Sequence, residues 1–385
     1  MHAREGFSYR KANILKRTTS RNNKVYFYYM SEQRFNRTLI PRPKNRRRFK
    51  QLPVFGVLFG MLIIVGGTLF SFPSLLTYEL ISSAKDIPEI DVERSFPVTV
   101  FPSQKIIVEN DKVEAFLLNS PGTQSAAVLD TKKAFTWFAV SISRTQLYRQ
   151  VAGIAGIENL YVTIYSGYRE EQVARAFGET LDWNAVQRKD FLKEASAKEP
   201  DLTEGIFVPG TYFVGVTDPS DVADITHERF LREIRARYGT TTEEQVPLDD
   251  ALTIASLLQR EAAGWDDMRI ISGIIWNRLF IGMNLQIDAT LQYAKASNKL
   301  GTPGKYWEIV VPKDKFIKSA YNTYQNKGLP PGPISNASIA AILAALNPKR
   351  TDCLFYFHDK YGKFHCSPTY EGHVALLIKA YGQGK

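Results

Sequence analysis

The sequence predicts an α+β protein carried on a single N-terminal membrane span. Three observations predict it. Residues 52–72 hold no charged side chain over 21 positions, long enough to cross a bilayer as a helix. Beyond them, short β-branched and aromatic runs alternate with amphipathic helical stretches, the pattern of a mixed fold. A helix over 249–264 then places an acid, Glu261, on an otherwise apolar face with Ile254, Leu257, Leu258 and Trp265,.

The first element is a basic tail. The net charge of +10 suggests a nucleic-acid partner until it is located: residues 1–50 contain fifteen Lys and Arg against Glu5 and Glu32, so the other 335 residues sum to −3. The charge belongs to the tail and not to a groove, and no nucleic-acid motif accompanies it. Arg46-Arg47-Arg48-Phe49-Lys50 abuts the span at 51–73, so the positive-inside rule keeps residues 1–50 in the cytoplasm and sends the rest across the membrane,. A cleaved signal peptide fits less well, because the basic region is long and Phe72-Pro73-Ser74-Leu75 offers no small-residue cleavage site,.

Residues 74–156 read as a β-rich accessory region, with strand-like runs at 97–101, 105–108 and 135–142,. They show no motif with chemistry. Residues 157–240 form the next unit with its linker: a strand at 160–165, a helix at 169–177, a short helix at 190–195 and a strand within 205–214. That order resembles a LysM module, a small fold that holds glycans containing N-acetylglucosamine.

The last unit, residues 247–385, opens on the Glu261 helix. Asp249 or Asp250 suits its N-cap and Gly264 its stop,. A carboxylate among Ile, Leu and Trp is costly to ionise, so its pKa is pushed upward. That keeps an acid protonated near neutral pH, as glycosidic bond cleavage requires. The plainer alternative is a Glu at a helix end whose head reaches water. A second helix follows at 268–280. The run Tyr321-Asn-Thr-Tyr-Gln-Asn-Lys-Gly-Leu-Pro-Pro-Gly-Pro-Ile334 is a rigid loop, because its prolines remove donors and fix φ,. Cys353 and Cys366 flank a predicted hairpin, as a cross-strand disulfide or as two separate thiols,. Two Cys and five scattered His residues show no metal-ligand spacing, and no cofactor is expected,.

Three motifs carry a resemblance. Ile254-Ala-Ser-Leu-Leu-Gln-Arg-Glu261-Ala, Asn277-Arg278-Leu279-x-Ile281-Gly282-Met283-x-Leu285-Gln286-x-Asp288 and the Tyr321–Ile334 loop resemble the YceG-like, or MltG-type, endolytic murein transglycosylases. The match covers about residues 247–381 and, less closely, 157–215. It implies that Glu261 is the catalytic acid, with Gln286, Asp288, Tyr321, Asn322, Thr323 and Tyr324 binding substrate. The alternative for the polar positions is structural, Asn322 capping a turn and Asp288 starting a helix. This sequence departs from the family pattern at Ile287 and Ala289, where Ser/Thr and Pro are usual, at Phe364, where His is common, and at Cys366, where Phe is common. The missing His puts a catalytic role for the hairpin in doubt.

The resemblance implies cleavage of the β-1,4 bond between N-acetylmuramic acid and N-acetylglucosamine, leaving a 1,6-anhydro end and needing no cofactor. The implied partners are peptidoglycan strands, the membrane and cell-wall synthesis proteins. The implied location is the cytoplasmic membrane, with the catalytic unit outside the cytoplasm (periplasmic). Two rivals stay open: a muramidase-type hydrolase using Asp288, and a non-catalytic glycan-binding scaffold.

Overall fold

A computed structural model describes residues 95–118, 120 and 160–382, apart from 203, 216, 300, 301 and 303. The basic tail, the uncharged run at 52–72 and the strand-like run at 135–142 lie outside the described residues.

The described chain is mixed α+β, with three two-stranded antiparallel sheets. Residues Val100–Phe101 (β1) and Ile106–Ile107 (β2) pair briefly, and helix α1, Asp111–Leu118, follows. This segment is built into the rest of the fold. Thr99 donates its amide to the carbonyl of Leu346 at 3.0 Å, and Phe96 donates to that of Arg237 at 2.8 Å. Buried Arg269 reaches both oxygens of Glu114 at 2.6 and 2.8 Å. Of the strand-like runs expected at 97–101 and 105–108 only Val100–Phe101 and Ile106–Ile107 are strand, within a segment hydrogen-bonded to the rest of the fold.

Next come β3 (Leu160–Ile164), α2 (Glu170–Leu181), α3 (Ala185–Lys198) and β4 (Gly210–Val214). β3 and β4 are antiparallel, with Leu160 opposite Val214 and Ile164 opposite Gly210. Both helices run longer than the sequence pattern indicates. Arg169 stands at the N-cap of α2, with Gln172 closing back onto its amide at 3.1 Å. Asn184 caps α3, accepting from Val186 and Gln187 while Gln187 accepts from the Asn184 amide, a reciprocal box that satisfies otherwise orphaned donors. Only Gly210–Val214 of the 205–214 run is strand. Helices α4 (Pro219–Glu233) and α5 (Thr240–Gln245) lead into the helix that ends at Glu261.

Helix α6, Leu248–Glu261, is the central rod, with nearly every side chain from Leu248 to Leu258 buried. The structure corrects its ends. Pro247 is the N-cap, Asp249 and Asp250 fall inside the first turn, and the helix stops at Glu261 because Ala262 turns extended. Gly264 is therefore not the stop but the N-cap of α7, Trp265–Phe280, and Trp265 opens that second helix. α8 (Asp288–Ser297), the apolar α9 (Ile339–Leu346) and α10 (Tyr370–Tyr381) complete the helices. α9 is buried between α6 and α7. At Gly273 of α7 the chain around Lys349 passes so close that a Cβ would lie 2.2 Å from the Lys349 carbonyl oxygen, so no larger residue fits.

One buried apolar cluster runs from Phe96 through the β3–β4 unit to Leu346. Asn336 stitches the two parts further, accepting from the Phe207 amide at 2.8 Å and donating to the Tyr168 carbonyl at 2.9 Å. The hairpin is β5 (Phe355–His358) and β6 (Phe364–Ser367), and a disulfide joins Cys353 to Cys366. Between the two alternatives the sequence left open, the structure selects the disulfide.

Candidate active site

Glu261 is the last residue of α6, and its position follows from that helix being locked on all sides. Ser256 donates to Thr253 O and accepts the Ile334 amide at 3.0 Å, while Gln259 accepts the Ser338 amide at 3.1 Å. The proline-rich loop is thus pinned to the same helix that presents the acid. Glu261 itself is half-buried, with Tyr356 of β5 donating its hydroxyl to Oε2 at 3.0 Å. Burial pushes the Glu261 carboxyl above its ordinary range. The hydroxyl of Tyr356 pulls it back, the Asp288 charge raises it, and the Ala289 amide and His358 pull it down. Burial prevails, as expected for a carboxyl removed from water without an ion-pair partner.

The second carboxylate, Asp288, is the first residue of α8 and is exposed. Tyr324 donates to its Oδ1 at 2.6 Å. Burial and this bond to a carboxylate hold the Tyr324 phenol well above its usual range, so it remains a donor. The two motifs bearing these residues are zipped together. Gln286 sits in the left-handed region at φ 50° and gives its amide to Thr323 O at 3.1 Å. Ile287 donates to Thr323 Oγ1 at 3.0 Å, and Asn284 donates to Tyr324 O at 2.7 Å.

That zipper separates the predicted site residues into two groups. Glu261, Gln286, Asp288 and Tyr324 lie at or near the surface, and Tyr321 is half-buried against Tyr293 at 4.6 Å between ring centroids. Asn322 and Thr323 are 0% and 1% exposed. Asn322 donates to Lys315 O and Ile317 O and accepts from the Tyr324 amide. Thr323 bonds Ile287 and Thr290. Their hydrogen-bonding capacity is used inside the chain, so they shape the loop and do not line it.

Three residues at the site were not picked out from the sequence. Tyr356 and His358 project from the same face of β5, as alternate strand residues do, and polar tips on one face of an aromatic strand were the available signal. His358 also meets Asp267 at 3.0 Å. Arg278 is 6% exposed; it donates to Leu354 O at 2.7 Å and to Leu285 O, tying the hairpin and the Gln286 turn to α7. The missing His at position 364 therefore does not remove the hairpin from the acid, because Tyr356 supplies a contact.

Beside the acid, the turn at 262–265 forms one wall of a cavity of about 560 Å³, with Ser166, Arg229, Glu233 and Ser338 on others. Arg229 and Glu233 are paired at 2.8 Å, leaving that wall nearly neutral. Among the described residues no group of three or more His, Cys, Asp or Glu side chains is placed to hold a metal ion.

Comparison with known proteins adds the following. The model of the YceG-like family matches residues 127–378. Over 241 residues the chain is 30% identical to an endolytic murein transglycosylase of Streptococcus pneumoniae serotype 2, covering 55% of this chain and 43% of that protein. Over 235 residues it is 29% identical to one from Bacillus subtilis strain 168, covering 55% and 62%. The chain thus spans about half the length of the curated relatives it matches. A crystal structure of a yceG-like protein from Listeria monocytogenes is similar with a TM-score of 0.49 at 24% identity, over 64% of this chain and 91% of that one.

Proposed function

The chain belongs to the YceG-like family, and on that premise we propose that it is an endolytic lytic transglycosylase of peptidoglycan. It cuts the β-1,4 bond between N-acetylmuramic acid and N-acetylglucosamine within glycan strands. The observation that carries the proposal is Glu261: a half-buried carboxyl at the end of α6, raised in pKa by burial and held by the Tyr356 hydroxyl. A general acid must hold its proton to higher pH than a free carboxyl does, and burial moves Glu261 in that direction,.

Glu261 gives its proton to the glycosidic oxygen as the bond to C1 breaks, the electron pair leaving with that oxygen. The carboxylate so formed takes the proton from the C6 hydroxyl of the same muramoyl residue, and O6 closes onto C1. No water enters, and Glu261 ends as it began. Asp288, held by Tyr324, supplies negative charge and a hydrogen-bond acceptor beside the reacting sugar. Gln286 and Tyr321 contribute further contacts, while Asn322 and Thr323 hold the loop that carries Tyr324.

A specific observation favours a second reading. Asp288 lies close enough to raise the Glu261 pKa, and a pair of carboxylates is what a hydrolase uses. Mass analysis of products from defined strands separates the two. A transglycosylase leaves 1,6-anhydro ends, lighter by one water than the reducing ends of a hydrolase.

The strand–helix–helix–strand unit at 160–214, with its antiparallel pair, supports a LysM-like glycan-binding role. Its packing into the common core would hold a strand next to the acid. The uncharged run at 52–72 with its basic flank supports a single membrane span, cytoplasmic N-terminus and catalytic part outside. The Cys353–Cys366 disulfide fits that oxidising side. Protease protection of residues 1–50 in sealed right-side-out vesicles tests the orientation.

A further inference from the structure

Glu261 is faced by charged or titratable groups from every element around it. They are Arg260 on its own helix, Arg278 of α7, Asp288 of α8, Tyr324 of the loop, and Tyr356 and His358 of β5. Among the described residues, only Tyr356 reaches it with a side-chain hydrogen bond. The donor is held firmly. Its ring stacks on Phe364 at 6.0 Å and 24°, its strand partner is the disulfide-bonded Cys366, and Arg278 grips the carbonyl of Leu354 two residues earlier.

We propose that Tyr356 is the positioning residue of the acid: by occupying Oε2 as an acceptor, its hydroxyl confines the transferable proton to Oε1. A carboxylic acid carries its proton on one oxygen, and an oxygen that already accepts a hydrogen bond is the poorer place for it. Oε1 therefore presents the proton to the glycosidic oxygen, and the ionised group then receives the C6 proton at the same atom. The hydroxyl stays bound to Oε2 throughout, so the carboxyl need not turn between the two transfers. Phe364 of β6 has no group that can hydrogen-bond the acid, so the hairpin makes its polar contact from β5. The aromatic ring of Phe364 serves as the backing for Tyr356.

This assignment rests on Glu261 being the acid, so its test reads the carboxyl as well as the reaction. In the full-length protein, Tyr356→Phe removes the hydroxyl and keeps the ring. A hydroxyl donor favours the ionised carboxylate, so losing it raises the Glu261 pKa. The fall in kcat/KM at alkaline pH then moves to higher pH, and kcat on the plateau drops about 10- to 100-fold with little change in KM. Titration of the Glu261 carboxyl by carbon-13 resonance, in wild type and variant, reports the same upward shift directly. An unmoved carboxyl titration, or a Phe variant with wild-type kcat, overturns the proposal. If the wild type cuts no glycan while the carboxyl titration still shifts, the transglycosylase reading falls and the hydrogen-bond assignment stands.

Discussion

Tyr324 donates a 2.6 Å hydrogen bond to Oδ1 of Asp288, although 36 residues separate them in the chain. A charge-assisted bond of that length holds an exposed carboxylate in one rotamer and leaves its other oxygen for substrate. Tyr324→Phe should therefore lower kcat/KM about tenfold, the scale of one hydrogen bond to a charged group. Steady-state cleavage of defined strands measures it. An unchanged rate would mean that Asp288 is positioned by its helix start alone.

Glu261→Gln should abolish cleavage, since general acid–base assistance is worth about 10²–10⁴ in rate and this residue serves both transfers. Asp288→Asn should cost clearly less. Equal losses, together with reducing muramic acid ends, would establish the hydrolase instead.

The same Glu261→Gln substitution carries a stability prediction with a definite sign. Burial raises the folded-state pKa of Glu261 above the ordinary glutamate value of 4.5. Between the unfolded and folded values the native state binds more protons, so stability falls as pH rises through that window. The Gln variant lacks this penalty. Its melting temperature should match the wild type near pH 4 and exceed it at pH 7, and the reverse order would show that Glu261 is stabilised as an anion.

Glu114 and Arg269 tie α1 to α7. Arg269 is only 4% exposed, and its hydrogen bonds, aided by its charge, hold the Glu114 carboxyl below the usual range. Glu114→Gln should cost about 2 kcal/mol, the scale of hydrogen bonds to a charged partner. Because the Glu114 pKa is depressed, its contribution is present above 4.5 and is lost as pH falls through the folded value. Denaturant unfolding at pH 7 and pH 3 checks both statements, and the two proteins should converge at the lower pH.

The Cys353–Cys366 bond closes a loop of sequence separation 13, for which chain-entropy reasoning gives about 3 kcal/mol. Reduction should lower the melting temperature. It should also lower activity in step, because the hairpin it braces carries Tyr356. Activity that survives reduction unchanged would show that the strand pairing and Arg278 suffice to hold the hydroxyl.

From the sequence alone came the rod-like helix with an acid at its end, the strand–helix–helix–strand order, the proline-stiffened loop and the hairpin. These depend on local spacing and on backbone restrictions that neighbours in the chain impose, and the irregular motifs at Glu261, Gln286–Asp288 and Tyr321–Ile334 were enough to suggest a family. The tertiary structure alone decided which of their polar groups face outward. Asn322 and Thr323 share a motif with Tyr324, yet they turn inward because the loop's own carbonyls and the Ile287 amide needed partners. It also decided that Glu261 meets Tyr356, 95 residues away. Strand periodicity can say that Tyr356 and His358 share a face, but only the docking of the hairpin against α6 and α7 determines what that face touches. The helix boundary at Ala262 belongs to the same class: Gly264 fits a stop or a start equally well by residue type, and the backbone path into α7 makes it a start.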